Sequence, residues 1–196
     1  MVKTFKIYHI ICEGASEEAY LKELNHYLRE SGFAVFFNVY NVCGASQYKT
    51  IKNKYREALK RKKNTDEIFI WLDNDVFKRK KLSKDELQKI LGDFPGIKYN
   101  YENFEDFVVM HLSDEKVQTW HKICIENNHF NNPMTGETLE KLIQSIIPDY
   151  SKGDLSQEIQ INDESLKRLS ENQQNPTIEF VSDFVDVIKQ LLKPAS

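Results

Sequence analysis

The sequence predicts an α/β fold: a mostly parallel sheet flanked by helices, followed by a C-terminal helical extension. Three observations carry this. In the first hundred residues, short runs rich in aromatic and β-branched residues alternate with amphipathic stretches, the βαβ order that builds a parallel sheet. Two of those runs end in acidic residues, Glu13 after Ile10-Ile11-Cys12 and Asp73-Asn74-Asp75 after Phe69–Leu72. Beyond residue 103 the strand pattern stops and helical periodicity takes over.

Phe5–Cys12 reads as the first strand because its apolar run is nearly continuous, as in a strand buried on both faces. Gly14 and Ser16 turn the chain. Ser16 is the expected N-cap of a helix over Glu17–Glu30, whose Tyr20, Leu21, Leu24, Tyr27 and Leu28 fall on one face and which stops at Ser31-Gly32. Phe33–Val42 is the second strand, Cys43-Gly44-Ala45-Ser46 a turn, Gln47–Lys63 a basic helix and Glu67–Asp73 the third strand. Ser83–Leu91 is a short helix, and Ile97–Tyr101 a fourth strand after the Gly92, Pro95 and Gly96 punctuation. Helices are then expected over Asn103–Leu112, Asp114–Asn127 and Thr135–Ile147, with Pro133 and Pro148 as breakers. A polar loop over Lys152–Asp163 follows, and a final helix from Pro176 through Leu191. The expected organisation is a sheet domain over residues 1–112 with a helical extension, 113–196, packed on it.

Composition narrows the function classes. The chain of 196 residues is 40% hydrophobic and 29% charged, which suits a globular domain rather than a disordered chain. No apolar run approaches the roughly 18 residues of a membrane span, and the N-terminal run lacks the form of a signal peptide. Three scattered cysteines, Cys12, Cys43 and Cys124, argue against a disulfide framework or a cysteine zinc site and lead to the expectation of a cytoplasmic protein. The net charge of −3 hides a split: residues 1–100 hold 19 Lys and Arg against 13 Asp and Glu, residues 101–196 hold 8 against 17. A basic half permits a polyanionic partner.

The acidic strand ends point to the chemistry. In an open parallel sheet, ligands bind outside the carboxyl ends of the strands. An isolated Glu-Gly is more often a surface turn, and Asp-Asn-Asp alone is often a turn with side-chain–backbone bonds. At the ends of two parallel strands, however, Glu13, Asp73 and Asp75 would pool carboxylates that repel one another. A hard cation such as Mg²⁺, which prefers oxygen ligands and substrate phosphates, would resolve that repulsion.

Strand–Glu-Gly–helix followed some sixty residues later by strand–Asp-x-Asp resembles the TOPRIM domain of topoisomerases, primases and several nucleases. Cys12-Glu13-Gly14 with Glu18, Phe69–Asp75, and Phe104-Glu105 with His111 are most similar to the RloB family, TOPRIM-type nucleases of prokaryotic defence or restriction loci often encoded beside an ATPase. The likeness covers about residues 5–112. Tyr101-Glu102 stands where that family has Asn-Pro, and Glu17 where it has Thr. The resemblance implies a TOPRIM-like sheet and a metal-dependent nuclease that uses Mg²⁺, with Mn²⁺ as a substitute. It implies that Glu13 is a metal ligand or general acid/base, that Asp73 and Asp75 bind metal, and that Glu105 is a further ligand. His111, a lone histidine on an apolar helix, is expected in the core. Glu102 and Asp106 are spare carboxylates without an assigned role, and His26, His121 and His129 lack ligand spacing.

Two basic stretches flank the acidic motif in sequence. Lys49–Lys63 reads equally as a solvated helix face, whereas Lys78, Arg79, Lys80, Lys81 and Lys84 adjoin Asp75 and form the expected nucleic-acid contact, DNA or RNA, through phosphate neutralisation. Tyr99, Tyr101 and Phe104 are candidates to stack a base, with core packing the expectation for at least two. The rival readings are a TOPRIM-like module that binds nucleic acid or a co-encoded ATPase without cutting, and a primase-like nucleotidyl transferase, disfavoured by the lack of a zinc ribbon.

Overall fold

Nearly continuous apolar runs become strands where both faces of a parallel sheet are covered, and four do so among the described residues. The computed structural model describes residues 5–44, 47–74, 84–155 and 157–192. In chain order the elements are β1 (Lys6–Cys12), α1 (Ala15–Glu30), β2 (Val35–Asn41), α2 (Tyr48–Arg61), β3 (Glu67–Asp73), α3 (Lys84–Asp93) and β4 (Ile97–Asn100). There follow α4 (Phe104–Val109), α5 (Asp114–Glu126), α6 (Gly136–Gln144), a 3₁₀ turn (Gln157–Ile159), α7 (Asp163–Gln174) and α8 (Asp183–Leu191). The sheet is four-stranded and wholly parallel, in the order β2-β1-β3-β4. The α/β class, the parallel sheet and the helical C-terminal extension are as the sequence predicts.

The strand order places a switch point between β1 and β3. The chain leaves β1 toward β2 on one side, then crosses to β3 on the other. Right-handed crossovers in opposite directions must put their helices on opposite faces. Accordingly α1 packs on one face, its Tyr20, Leu21, Leu24 and Leu28 against Tyr8, Ile10, Phe37 and Trp71. On the other face Ile51 and Ala58 of α2 and Ile90 of α3 meet Ile11, Ile70 and Leu72. Switch points of this kind open a crevice at the carboxyl ends of the strands.

The helical half shares the α1-side core. Phe184 of α8 stacks on Trp71 of β3, with ring centroids 4.1 Å apart and planes 14° from parallel. Phe107 of α4 meets Tyr20 edge-on at 4.9 Å. Residues 181–183 also cover the β4 edge: the Tyr101 N–H donates to Val181 O at 2.9 Å and the Tyr99 N–H to Asp183 Oδ2 at 3.1 Å. At the β2 edge the Asn25 side chain donates to Phe37 O (2.8 Å) and accepts from Phe37 N (2.7 Å), occupying backbone groups that would otherwise invite another strand.

Two boundaries differ from expectation. The N-cap of α1 is Gly14, not Ser16, and the helix starts at Ala15. The final helix starts at Asp183 rather than Pro176, and a further helix, α7, precedes it where none is expected. A capping box between Asn162 and Ser165 opens α7, and Ser182 Oγ caps α8 by accepting from Phe184 N at 3.3 Å. Pro176 lies in the connection, and α7 is so polar that Leu166 and Leu169 are its buried apolar residues.

Candidate functional site

β1 and β3 pair with Cys12 opposite Trp71, so Glu13 emerges from the sheet beside the end of β3, where Asp73 is the last residue. Both carboxylates therefore stand at the carboxyl edge of neighbouring parallel strands. The turn after Glu13 is fixed by backbone bonds, Val42 N to Cys12 O at 3.0 Å and Gly44 N to Glu13 O at 2.7 Å. Asp73 is oriented by the buried Asn100. Trp71 Nε1 (3.0 Å) and Ser182 Oγ (2.7 Å) both donate to Asn100 Oδ1, which turns the amide Nδ2 to donate to Asp73 Oδ1 at 2.9 Å.

Glu105 reaches the same place from the first turn of α4, where Asn103 and Asp106 form a capping box. It is 5% exposed, accepts from Tyr150 Oη at 3.2 Å and lies 3.8 Å from Lys152 Nζ. Burial raises its pKa, with Lys152 opposing the rise. The Tyr150 phenol is pushed up by the same burial and by Glu105.

Glu17 is the member that sequence reasoning missed. It is the third residue of α1, 4% exposed, and the backbone N–H of Gly14 bonds to its carboxylate. A Cβ at position 14 would sit 3.3 Å from Glu17 Oε2, so glycine lets the carboxylate close over the helix start. Burial raises the Glu17 pKa to about 8; Glu13 and Glu105 add to the rise, while the backbone N–H groups of Glu17 and Gly14 oppose it. In sequence, Glu17 carries only the ordinary signature of a first-turn acid.

Glu13, Glu17, Asp73 and Glu105 line one cleft of about 250 Å³, with Lys152 and Gly153 at its wall. The wall belongs to the segment after α6. Gly153 N donates to Ser16 Oγ at 3.1 Å, and Ser151 bridges Asp154, so the extension closes the cleft from outside the sheet. Lys152 and Tyr150 fall in a stretch whose sequence shows no motif.

Other expected residues are placed as follows. Asp75, Lys78, Arg79, Lys80 and Lys81 lie outside the described residues, and Lys84 is the first residue of α3. His111 is in the core: Tyr20 Oη bonds its Nε2 at 3.0 Å, and its Nδ1 faces the carbonyls of Phe107 and Val108 at 3.1 and 3.2 Å. That pattern fits a neutral ring, and burial lowers its pKa to about 4. Phe104 is buried and Tyr99 packs under α2 and α3, whereas Tyr101 is exposed. On α2, Lys54 and Arg61 pair with Glu57, and Lys52 with Asp93.

A separate set of potential ligands lies in the helical half. Atoms of Asp106, Cys124 and His129 fall within 4.8 Å of one another, and by distance the trio could hold a metal ion. Asp106 and His129 already have hydrogen bonds, however. Asp106 accepts from Trp120 Nε1 (2.7 Å) and pairs with His129 Nε2 (2.9 Å), while His129 Nδ1 accepts from Met134 N (2.8 Å). Burial also pushes the Cys124 thiol up, away from the thiolate that a metal needs. We read this trio as a satisfied core network. Among the described residues, no three carboxylates of the cleft come this close together, so the cleft as it stands is not a preformed three-carboxylate cage.

Among the described residues, no helix is long and apolar enough to cross a membrane. Compared with protein-family models, curated proteins and solved structures, the chain finds no match.

Proposed function

We propose that the protein is a Mg²⁺-dependent nuclease that cleaves phosphodiester bonds of DNA or RNA, with Mn²⁺ able to replace Mg²⁺. The observation that carries this reading is the meeting of Glu13 and Asp73 at the switch point of a parallel sheet, with Glu105 and Glu17 lining the same cleft. The sequence resemblance to TOPRIM and RloB-like proteins supports it and suggests a prokaryotic defence role, with a co-encoded ATPase as partner.

The donor set fits the ion. All four side chains offer hard oxygen, and burial makes the ionised forms of Glu17 and Glu105 costly without a compensating positive charge. An open arrangement suits Mg²⁺, which keeps several waters and binds through a few carboxylates plus phosphate. Glu13, Asp73 and Glu105, together with Asp75 from the sequence motif, would hold it. Once bound, such an ion neutralises charge on the phosphate and lowers the pKa of an attacking water. The chain's own residues do the rest. Asn100 holds the Asp73 carboxylate in one orientation. Tyr150 steadies Glu105. Glu17 lines the cleft beside these ligands from the first turn of α1.

One observation favours a second reading, a nucleic-acid-binding module without catalysis: a positive charge, Lys152, already stands 3.8 Å from Glu105. A cleavage assay separates the two. The wild type is expected to cut a panel of DNA and RNA substrates in Mg²⁺ or Mn²⁺ but not in EDTA, and Asp73→Asn to abolish cutting without loss of fold. A wild type that cuts nothing, alone or with its ATPase partner, decides for the binding module.

A further inference from the structure

We propose that Lys152, supplied by the helical extension, is the phosphate-binding residue of the cleft and contacts a non-bridging oxygen of the nucleic-acid backbone. The inference rests on the reading of the cleft as a phosphodiester site. A cleft lined by four carboxylates repels a polyanion, and a metal ion offsets that repulsion only in part. A substrate phosphate needs a further cation beside it. Among the described residues lining the cleft, Lys152 is the one with positive charge.

Its setting argues for a placed residue rather than a drifting surface lysine. The segment that carries it is fixed on both sides. Before it, the Tyr150 ring is buried, its hydroxyl is bonded to Glu105, and its carbonyl accepts from Gln144 Nε2 at 3.0 Å. After it, Gly153 adopts φ +84°, where a side chain is strained, and a Cβ there would meet Ala15 at 3.3 Å; its N–H is tied to Ser16 Oγ. The backbone is thus drawn close against the start of α1, aiming Lys152 over the cleft mouth. The side chain itself is 52% exposed and only 3.8 Å from Glu105, a long contact. An ammonium held this loosely keeps donors available for a second partner, and Lys binds phosphate as a point charge from such positions.

The contact exchanges ion pairs without covalent chemistry. In the free protein Lys152 faces Glu105. Were a divalent cation to engage Glu105, the ammonium would be released to turn to the phosphate. The extension would therefore complete the substrate site that the sheet begins.

The test uses the full chain and a fluorescent phosphorothioate tetranucleotide, which resists cleavage and is short enough to report on the cleft. Anisotropy is read in Mn²⁺ over a salt series, and Mn²⁺ uptake is read separately by calorimetry. Lys152→Gln is expected to weaken tetranucleotide binding by about ten- to a hundredfold and to lower the salt slope by about 0.7. Lys152→Arg should restore most of the affinity. Mn²⁺ affinity of Lys152→Gln should equal or exceed that of the wild type, because a competing positive charge is gone. A purely structural role for Lys152 would do the reverse, reducing Mn²⁺ affinity and leaving the salt slope unmoved, and would overturn the proposal. Tetranucleotide binding that is absent in the wild type, or unchanged in Lys152→Gln with normal Mn²⁺ uptake, overturns it equally. A wild type that takes up no Mn²⁺ yet binds the tetranucleotide through Lys152 refutes the nuclease reading and keeps this one.

Discussion

Glu17→Gln in the metal-free protein should remove a pH-dependent weakness, so that its advantage over the wild type grows as pH rises. The folded-state pKa of Glu17 is raised from 4.5 to about 8. A carboxyl raised in this way contributes stability that is fully present below 4.5, declines as pH rises, and is lost once pH passes about 8. At 1.36 kcal/mol per pH unit, that span sets a ceiling on the order of 5 kcal/mol. Relaxation and water entry into a cleft of about 250 Å³ should reduce it to about 2–3 kcal/mol. Glutamine keeps an oxygen for the Gly14 N–H and carries no charge. Urea unfolding in EDTA at pH 5 and pH 8.5 measures the effect, and the difference between variant and wild type cancels the other titrating groups. The variant should match the wild type within about 1 kcal/mol at pH 5 and exceed it by about 2–3 kcal/mol at pH 8.5. Equal stability differences at the two pH values would refute the argument that Glu17 is buried among like charges.

Two further outcomes follow from the core. Phe184→Ala removes the ring stacked on Trp71 and should cost about 3–5 kcal/mol in urea unfolding; a loss below about 1 kcal/mol would show that α8 is not part of the sheet's core. His111→Gln should cost about 1–3 kcal/mol while leaving metal-dependent cleavage intact. Because the His111 pKa is lowered to about 4, its share of stability is full above 6.5 and falls as pH drops toward 4, and the variant should lose that acid dependence. Loss of cleavage at unchanged stability would instead give His111 a chemical role.

The part of the site that sequence displays is the part built from strand ends. Glu13 and Asp73 are legible because each follows a buried apolar run, and β3 begins and ends where its hydrophobic pattern does. Glu105 is legible only through a resemblance, and its burial depends on Tyr150, 45 positions away. Glu17 looks like any helix-favouring acid, because what buries it is the loop at 150–153 closing over α1. Lys152 lies in a polar stretch without periodicity, where sequence carries no signal of which side chain faces a cleft. Asp106 reads in sequence as a spare carboxylate; its partners Trp120 and His129 are brought to it by the packing of α5 against α4 and the turn that follows. The polar α7 has no sequence signature for a related reason: two leucines three apart are too narrow a stripe to mark a helix.

The central claim is that the carboxylates at the β1–β3 switch point hold a divalent cation. Calorimetric titration of Mn²⁺ into the metal-free protein tests it most directly. The account predicts saturable uptake by the wild type, weakened at least about tenfold by Glu13→Gln and by Asp73→Asn, with Cys124→Ser unchanged. Uptake that survives Glu13→Gln and Asp73→Asn, uptake lost in Cys124→Ser, or no uptake by the wild type would contradict it.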